Sequence, residues 1–377
     1  MKEISKKKIL HVVGGMNVGG TETMLMNLYR KVNKDIQFDF ISYYEKEGHY
    51  DSEIESLGGK VIKIKAPNKA GLIKSILDLK KVIEENGPYE AVHAHTLFNC
   101  GIANLAAKIS GVKVRVTHAH TTLDNNDSFI KKMYISTMRK LIKCFSTDFL
   151  ACSNGAGKYL FGENIKNNKR YKVLPNYIDY REFLNYSEGI NLRKELSLKD
   201  DEKLIVHIGR FMEAKNHKFL VKLIKDIVSK DEQIKAIFVG DGHLRNDVEN
   251  QAKELGLEKN ILFLGIRKDI SNILNCCDLF ILPSIYEGLG LVMLEAQASG
   301  LPCLVSEAIQ PEADLGIGLV KQIKLDDGID KWADEALKLI GKKNNNKEAI
   351  EEAFKAKGYE IEGIVNTLLD VYKININ

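Results

Sequence analysis

Short apolar runs recur along the chain, each closed by glycine, proline or polar residues, with stretches of helical periodicity between them. Ile9 to Val13, Phe38 to Ser42, Val61 to Ile64, Ala91 to Ala94, Val114 to His118 and Phe149 to Ser153 are such runs in the first half. Leu204 to Ile208, Ala236 to Val239, Ile261 to Leu264 and Leu279 to Leu282 continue the series in the second. Uninterrupted runs of this kind fit strands covered on both faces, as in a parallel sheet. Between them, Thr21 to Val32, Leu72 to Glu85, Ser128 to Phe145, Ile270 to Cys276, Trp332 to Leu339, Glu348 to Lys355 and Ile361 to Tyr372 read as helices. The alternation predicts an α/β architecture. At 377 residues the chain exceeds one typical core and suits two domains. A polar stretch from Asp179 to Asp201 predicts the connection, dividing the chain into residues 1–186 and 187–360.

The segment 279–302, LFILPSIYEGLGLVMLEAQASGLP, concentrates the chemistry. A buried strand runs into a turn with Gly288 and Gly290 on either side of Leu289, and helical spacing starts at about Leu291 and Val292. A glycine turn opening a helix is a ready anion site, because the first-turn N–H groups and the helix dipole face the ligand. Glu287 and Glu295 flank it, eight residues apart. Carboxylates repel phosphates but accept well from neutral hydroxyls. A phosphate held in the middle with polyols at both ends describes a nucleotide-sugar. A surface loop with two solvated glutamates explains the local pattern equally well.

Three other turns add to this. Gly209-Arg210 ends the run at Ile208, and Lys215 follows six residues after Gly209. Two fixed cations at a strand end are what a departing diphosphate requires. The loop from Gly14 to Gly20 precedes a helix but has neither dinucleotide nor P-loop spacing, and its signal rests on Gly19 and Gly20. His93/His95 and His118/His120 form two His-Ala-His pairs, each on one strand face. Four such histidines could bind a metal, but neither pair forms a recognised ligand spacing with a carboxylate or a cysteine.

Charge divides unevenly. Residues 1–186 carry 29 basic and 19 acidic residues, a net +10, whereas 187–377 carry 26 and 32, a net −6. A basic first half predicts an anionic partner there. No nucleic-acid module is apparent and aromatics are not interleaved with the lysines, so anionic lipid is the favoured partner. The basic, apolar stretch 128–145 could lie on a membrane, though packing against its own sheet is the ordinary fate of such a helix. No membrane span or signal peptide is visible. Six cysteines without CxxC or zinc spacing predict reduced thiols and a cytoplasmic setting, with a peripheral position on the membrane's inner face as an extension.

The motif PSIYEGLGLVMLEAQASGLP resembles the Glu-x7-Glu signature of the retaining family-4 glycosyltransferases, and likeness runs from Lys8 to about Val371. It is nearest to members that assemble capsular and exopolysaccharides. The resemblance implies a GT-B fold: two Rossmann-like, doubly wound domains facing a central cleft, with the helix at about 361–377 returning to the first. It implies a metal-independent hexosyltransferase without cofactor, taking a UDP-sugar to a polyprenyl-pyrophosphate-linked saccharide. Catalytic roles then fall to Glu287, Arg210, Lys215 and His120. Glu295 would hold the ribose, Gly209, Gly240 and the Gly288–Val292 backbone the diphosphate, main chain near Arg267 the base, and Gly19-Gly20 the acceptor side. Tyr177 departs from the family pattern, which has glycine there. A soluble acceptor, a sugar-nucleotide epimerase and a non-catalytic nucleotide-sugar-binding subunit are the alternatives.

Overall fold

The computed structural model describes residues 6–122, 129–185 and 192–375, with side chains in the second stretch from residue 132. They divide into two units, Met1–Tyr177 with Gly358–Asn377, and Ile178–Lys357. The first holds strands β1 (Lys7–Val13), β2 (Ile36–Ser42), β3 (Val61–Lys63), β4 (Ala91–Ala94), β5 (Val114–Ala119), β6 (Asp148–Ala151) and β7 (Tyr171–Val173). They form one parallel sheet in the order β3-β2-β1-β4-β5-β6-β7. The second unit holds β8 (Lys203–Ile208), β9 (Ile234–Val239), β10 (Ile261–Gly265), β11 (Leu279–Leu282), β12 (Cys303–Ser306) and β13 (Val320–Ile323). Its order is β10-β9-β8-β11-β12-β13, again all parallel.

The apolar runs become strands because both sheet faces are covered. Ile205 and Val206 point to opposite faces, yet both are fully buried. Each sheet starts in its middle and winds outward both ways, so the winding direction reverses between β1 and β4 and between β8 and β11. Loops leaving the strand carboxyl ends diverge at such a reversal and open a crevice for ligands.

In the first unit the helix Gly20–Val32 buries Met24, Leu25, Leu28 and Tyr29, and the last helix, Ile361–Tyr372, adds Ile361, Ile364, Leu368 and Tyr372 to the same core. Tyr177, which replaces the family glycine, lies in this core as well. In the second unit the helices His217–Lys230 and Ile329–Leu339 pack Leu220, Ile224 and Trp332 against Phe238 and Ile205.

The chain changes units at Tyr177/Ile178 rather than at 186/187. The stretch read as a connection contains the short helix Tyr180–Leu184, whose Tyr180 ring stacks on Phe354 at 4.3 Å, anchoring it in the second unit. Residues 186–191 of that stretch lie outside the described residues. The helix expected from Ser128 is Phe129–Phe145; Ser128 and the Ile130 and Lys131 side chains lie outside the described ones. It buries Met138 and Ile142 and lies close to the helix Cys100–Ile109, where a Cβ on Gly101 would meet Leu141 Cβ at 2.9 Å. Among the described residues no helix is long and apolar enough to cross a membrane. All six cysteines are thiols outside any disulfide, four of them buried.

Candidate active site

The glycine turns expected to bind an anion lie at and beside the winding reversal of the second sheet. β8 ends at Gly209, whose N–H donates to the Val239 carbonyl at 2.9 Å, while the Gly240 N–H donates to Gly265 at 2.8 Å. Three strand ends are thereby tied edge to edge. Gly240 has φ +131°, and an added Cβ would collide with the Gly209 carbonyl oxygen. Only glycine fits both demands. Gly240→Ala is expected to cost about 2–4 kcal/mol. An unchanged urea midpoint in that variant would remove the close approach from the account.

Past Gly209 the chain forms a tight turn, Glu213–Lys215, and Asn216 then takes the left-handed conformation (φ 55°, ψ 42°) before the helix His217–Lys230. Asparagine tolerates that conformation better than most residues. The turn folds the Lys215 stem back over Gly209, where its Cδ and Cε lie 3.3 Å from a Cβ built there. Lys215 Nζ reaches Glu287 and forms an ion pair with Oε1. The buried Ser284 hydroxyl donates to the same Oε1 at 2.9 Å. The Ile285 N–H donates to the Ala214 carbonyl at 2.8 Å, stitching the loop after β11 to the loop after β8. The two side chains retain 18% and 12% exposure, so the pair is shielded but still reachable by a ligand.

Leu289 is buried and pins the turn that follows, Gly290 adopts φ 90°, ψ 58°, and the helix Leu291–Ala298 begins without a side-chain cap. Its dipole and first-turn N–H groups therefore meet no capping side chain. Glu295, half-buried on this helix, has its pKa pushed up to about 7 by burial and by the neighbouring Glu182 carboxylate. Arg210 is exposed at the end of β8. The Arg267 guanidinium donates to Asp269 at 2.8 Å and to Glu195 at 2.6 Å, so the side chain is held by two carboxylates. Lys215, Glu287 and Gly209 are thus brought together, and Arg267's side chain is committed elsewhere. Sequence reasoning missed Ser284 and Glu182. A serine three residues before a glutamate in a strand-end turn was the available signal for the first; for the second there was none.

In the first unit, Gly19 opens the helix Gly20–Val32, its carbonyl accepting from Thr23 N–H at 2.9 Å. A cavity of about 960 Å³ lies at the strand ends, lined among others by Gly14, Thr21, Glu22, Leu72 and His95. Behind it the histidines form a chain. His11 Nδ1 lies 3.1 Å from His95 Nε2, and His95 Nδ1 lies 2.9 Å from His120 Nε2. His93 Nδ1 sits 2.7 Å from the Tyr372 hydroxyl. Burial lowers the pKa of His11 and of His120 to about 3, and those of His93, His95 and His118 well below the usual value. At neutral pH His120 is therefore an uncharged hydrogen-bonding group, not an acid. His11 escaped the sequence reading, although a lone histidine inside KKILHVV marks a polar group in a buried strand.

Residues 18–182 match the model of Glycosyltransferase Family 4, and residues 190–356 match that of Glycosyl transferases group 1. The chain is 38% identical to the putative glycosyltransferase EpsF of Bacillus subtilis over 98% of its own length and 97% of that protein's. It is 31% identical to the UDP-Gal:alpha-D-GlcNAc-diphosphoundecaprenol alpha-1,3-galactosyltransferase of Escherichia coli over 62% of each chain. Among solved structures, Anabaena HepE in complex with UDP superposes with a TM-score of 0.76 over 98% of this chain and 99% of that one, at 19% identity. Two doubly wound sheets, with a glycine-bounded Lys–Glu pair at one winding reversal, and a match along the whole chain place this protein among the family-4 glycosyltransferases of GT-B fold.

Proposed function

We propose that this glycosyltransferase moves a hexose, with retention of anomeric configuration, from a UDP-sugar to a saccharide carried on a polyprenyl diphosphate in capsular or exopolysaccharide assembly. The observation that carries the reading is the Lys215–Glu287–Ser284 group beside the uncapped helix Leu291–Ala298. Lys215 and Arg210 neutralise the leaving diphosphate, so that this half of the reaction draws its positive charge from side chains rather than a metal. The Gly288–Val292 backbone supplies N–H donors to the phosphates, and the lack of side chains at Gly209 and Gly240, whose own N–H groups bond to neighbouring strand ends, lets the diphosphate come close. Glu287 orients the sugar, Glu295 accepts from the ribose, and main chain at Arg267 meets the base. In the first unit Gly19-Gly20 and His120 face the acceptor. Uridine and the lipid-linked acceptor are supported by the UDP-galactose donor and the diphosphoundecaprenol-linked acceptor of the E. coli relative.

The reaction is tested with UDP-hexoses and a synthetic polyprenyl-diphosphate disaccharide. The expected product is an extended glycolipid whose new linkage keeps the donor's anomeric form by NMR. Inverted linkage, or an epimerised free nucleotide-sugar formed without acceptor, overturns the proposal.

The first unit also presents its basic surface with an apolar edge. Leu72, Ile73 and Leu77 are 47%, 76% and 58% exposed at the start of the helix Leu72–Asn86, beside exposed Lys65, Lys69 and Lys74. Apolar side chains among lysines suit the interface of an anionic bilayer, and Leu72 borders the acceptor cavity. In this proposal the enzyme sits peripherally on the membrane there. Wild-type protein is expected to float with phosphatidylserine vesicles at low salt, and Ile73→Glu to remain at the bottom of the gradient. Equal flotation of both proteins removes this edge from the contact.

A further inference from the structure

Five histidines converge at the winding reversal of the first sheet. His11, His93 and His118 come from the neighbouring strands β1, β4 and β5, and His95 and His120 stand just past the ends of β4 and β5. Their hydrogen bonding is conspicuously incomplete. Nε2 of His11 and of His93 are buried without a partner, and the His118 ring and His120 Nδ1 make no well-formed hydrogen bond, only looser approaches to the Leu174 main chain and to Asn176. Each such nitrogen costs about 1–3 kcal/mol unless something else binds it. A native core carries few such atoms, and here several gather around one point.

We propose that His95, His118 and His120 bind one borderline divalent transition-metal ion, of which zinc fits best. The three rings each offer a nitrogen, and these nitrogens lie within 4.8 Å of one another. His118 and His120, two residues apart at the end of β5, present to one face, and their ring centroids are 4.0 Å apart. No carboxylate belongs to the set, which disfavours magnesium, calcium and manganese; an all-imidazole set suits zinc, copper or nickel. The proton now shared between His95 Nδ1 and His120 Nε2 moves to the opposite nitrogen of its own ring when both lone pairs turn to the ion, and none is released.

The surroundings have the form of an outer shell. His11 Nδ1, 3.1 Å from His95 Nε2, accepts the N–H that fixes the His95 tautomer. His93 stacks on His118 at 5.3 Å and 9°, and is itself held by Tyr372. His95 lines the cavity, so three protein ligands leave a fourth tetrahedral position on its side. That position takes an anionic oxygen or water. The assignment rests on this unit alone and shares only His120 with the transferase reading, so ion binding is tested separately from transfer.

The test uses the full chain, stripped with a chelator and titrated with Co²⁺. A tetrahedral ligand-field band that saturates at one ion per chain and collapses on adding Zn²⁺ is expected. X-ray absorption of the zinc-loaded wild type should show three imidazole ligands. His118→Asn should weaken binding by more than about 100-fold, beyond what outer-shell changes cost. His49→Ala, at an exposed histidine, should leave it unchanged. Absence of the band, fewer than three imidazoles, or a band that survives in His118→Asn overturns the site. Should His118→Asn fail to fold, the wild-type absorption spectrum decides alone.

Discussion

Lys215→Ala is expected to lower turnover by about 10²–10³-fold while leaving the KM for the donor within a few-fold, the usual consequence of removing one preorganised charge aimed at a leaving group. The structure explains why a single side chain carries so much. Lys215 leaves a tight turn whose exit is fixed by a left-handed Asn216, its stem crosses Gly209 where no side chain interferes, and Glu287 holds its ammonium in place. Little reorganisation is then needed when the diphosphate arrives. In the proposed reaction, the charge that builds on the departing phosphate would meet Lys215 in a shielded site, where a charge is worth more than in water. Lys215→Arg is expected to recover only part of the rate, because a planar fork cannot occupy the position of a compact ammonium. Equal turnover in wild type and Lys215→Ala would place the leaving-group charge elsewhere. Single-turnover measurements separate the chemical step from product release.

The second large effect follows from Glu295. With a pKa of about 7, this carboxyl is half protonated at neutral pH. Hydroxyl donors favour its ionised form, so donor binding drives a proton off. Donor affinity is expected to rise with pH up to about 7 and then level, falling by up to about tenfold per pH unit on the acid side. Glu295→Gln flattens the profile. Stability moves the other way. The folded-state pKa of about 7 lies above the ordinary 4.5, so Glu295 favours folding most below pH 4.5, and that contribution is lost as pH rises through 7. At pH 8 the glutamine variant is therefore expected to be the more stable protein, by about 1–2 kcal/mol after allowance for the solvent that still reaches this partly buried carboxyl, with the gap closing toward pH 4.5. Calorimetry at both ends checks the sign. A wild-type donor affinity that is flat from pH 5 to 8 (measured by isothermal titration) would remove Glu295 from the ribose.

The buried strands were legible because they carry no polar alternation: a run such as Leu279–Leu282 has few alternatives to a doubly covered parallel strand. Likewise Gly288–Gly290 and the helix start after it could be read locally, since cap and turn chemistry act over a few residues. The Lys215–Glu287 pair was not readable as a contact, because its members lie 72 residues apart and meet only through the stitching of two loops. The same separation hides the partnership of Arg267 with Glu195. The unit boundary was misplaced for another reason. Tyr180, Phe183 and Leu184 form an i, i+3, i+4 apolar face too short to stand out within a polar stretch.

The last helix, Ile361–Tyr372, completes the first core from the far end of the chain. The second unit is therefore an insertion within the first, and the order of synthesis differs from the order of completion. A ribosome will have made the whole second sheet before Ile364, Leu368 and Tyr372 emerge to close the core begun by Lys7–Val13. Until then that core shows an apolar groove to chaperones and proteases, and nicking near Gly358 would strand it open while leaving the inserted unit intact.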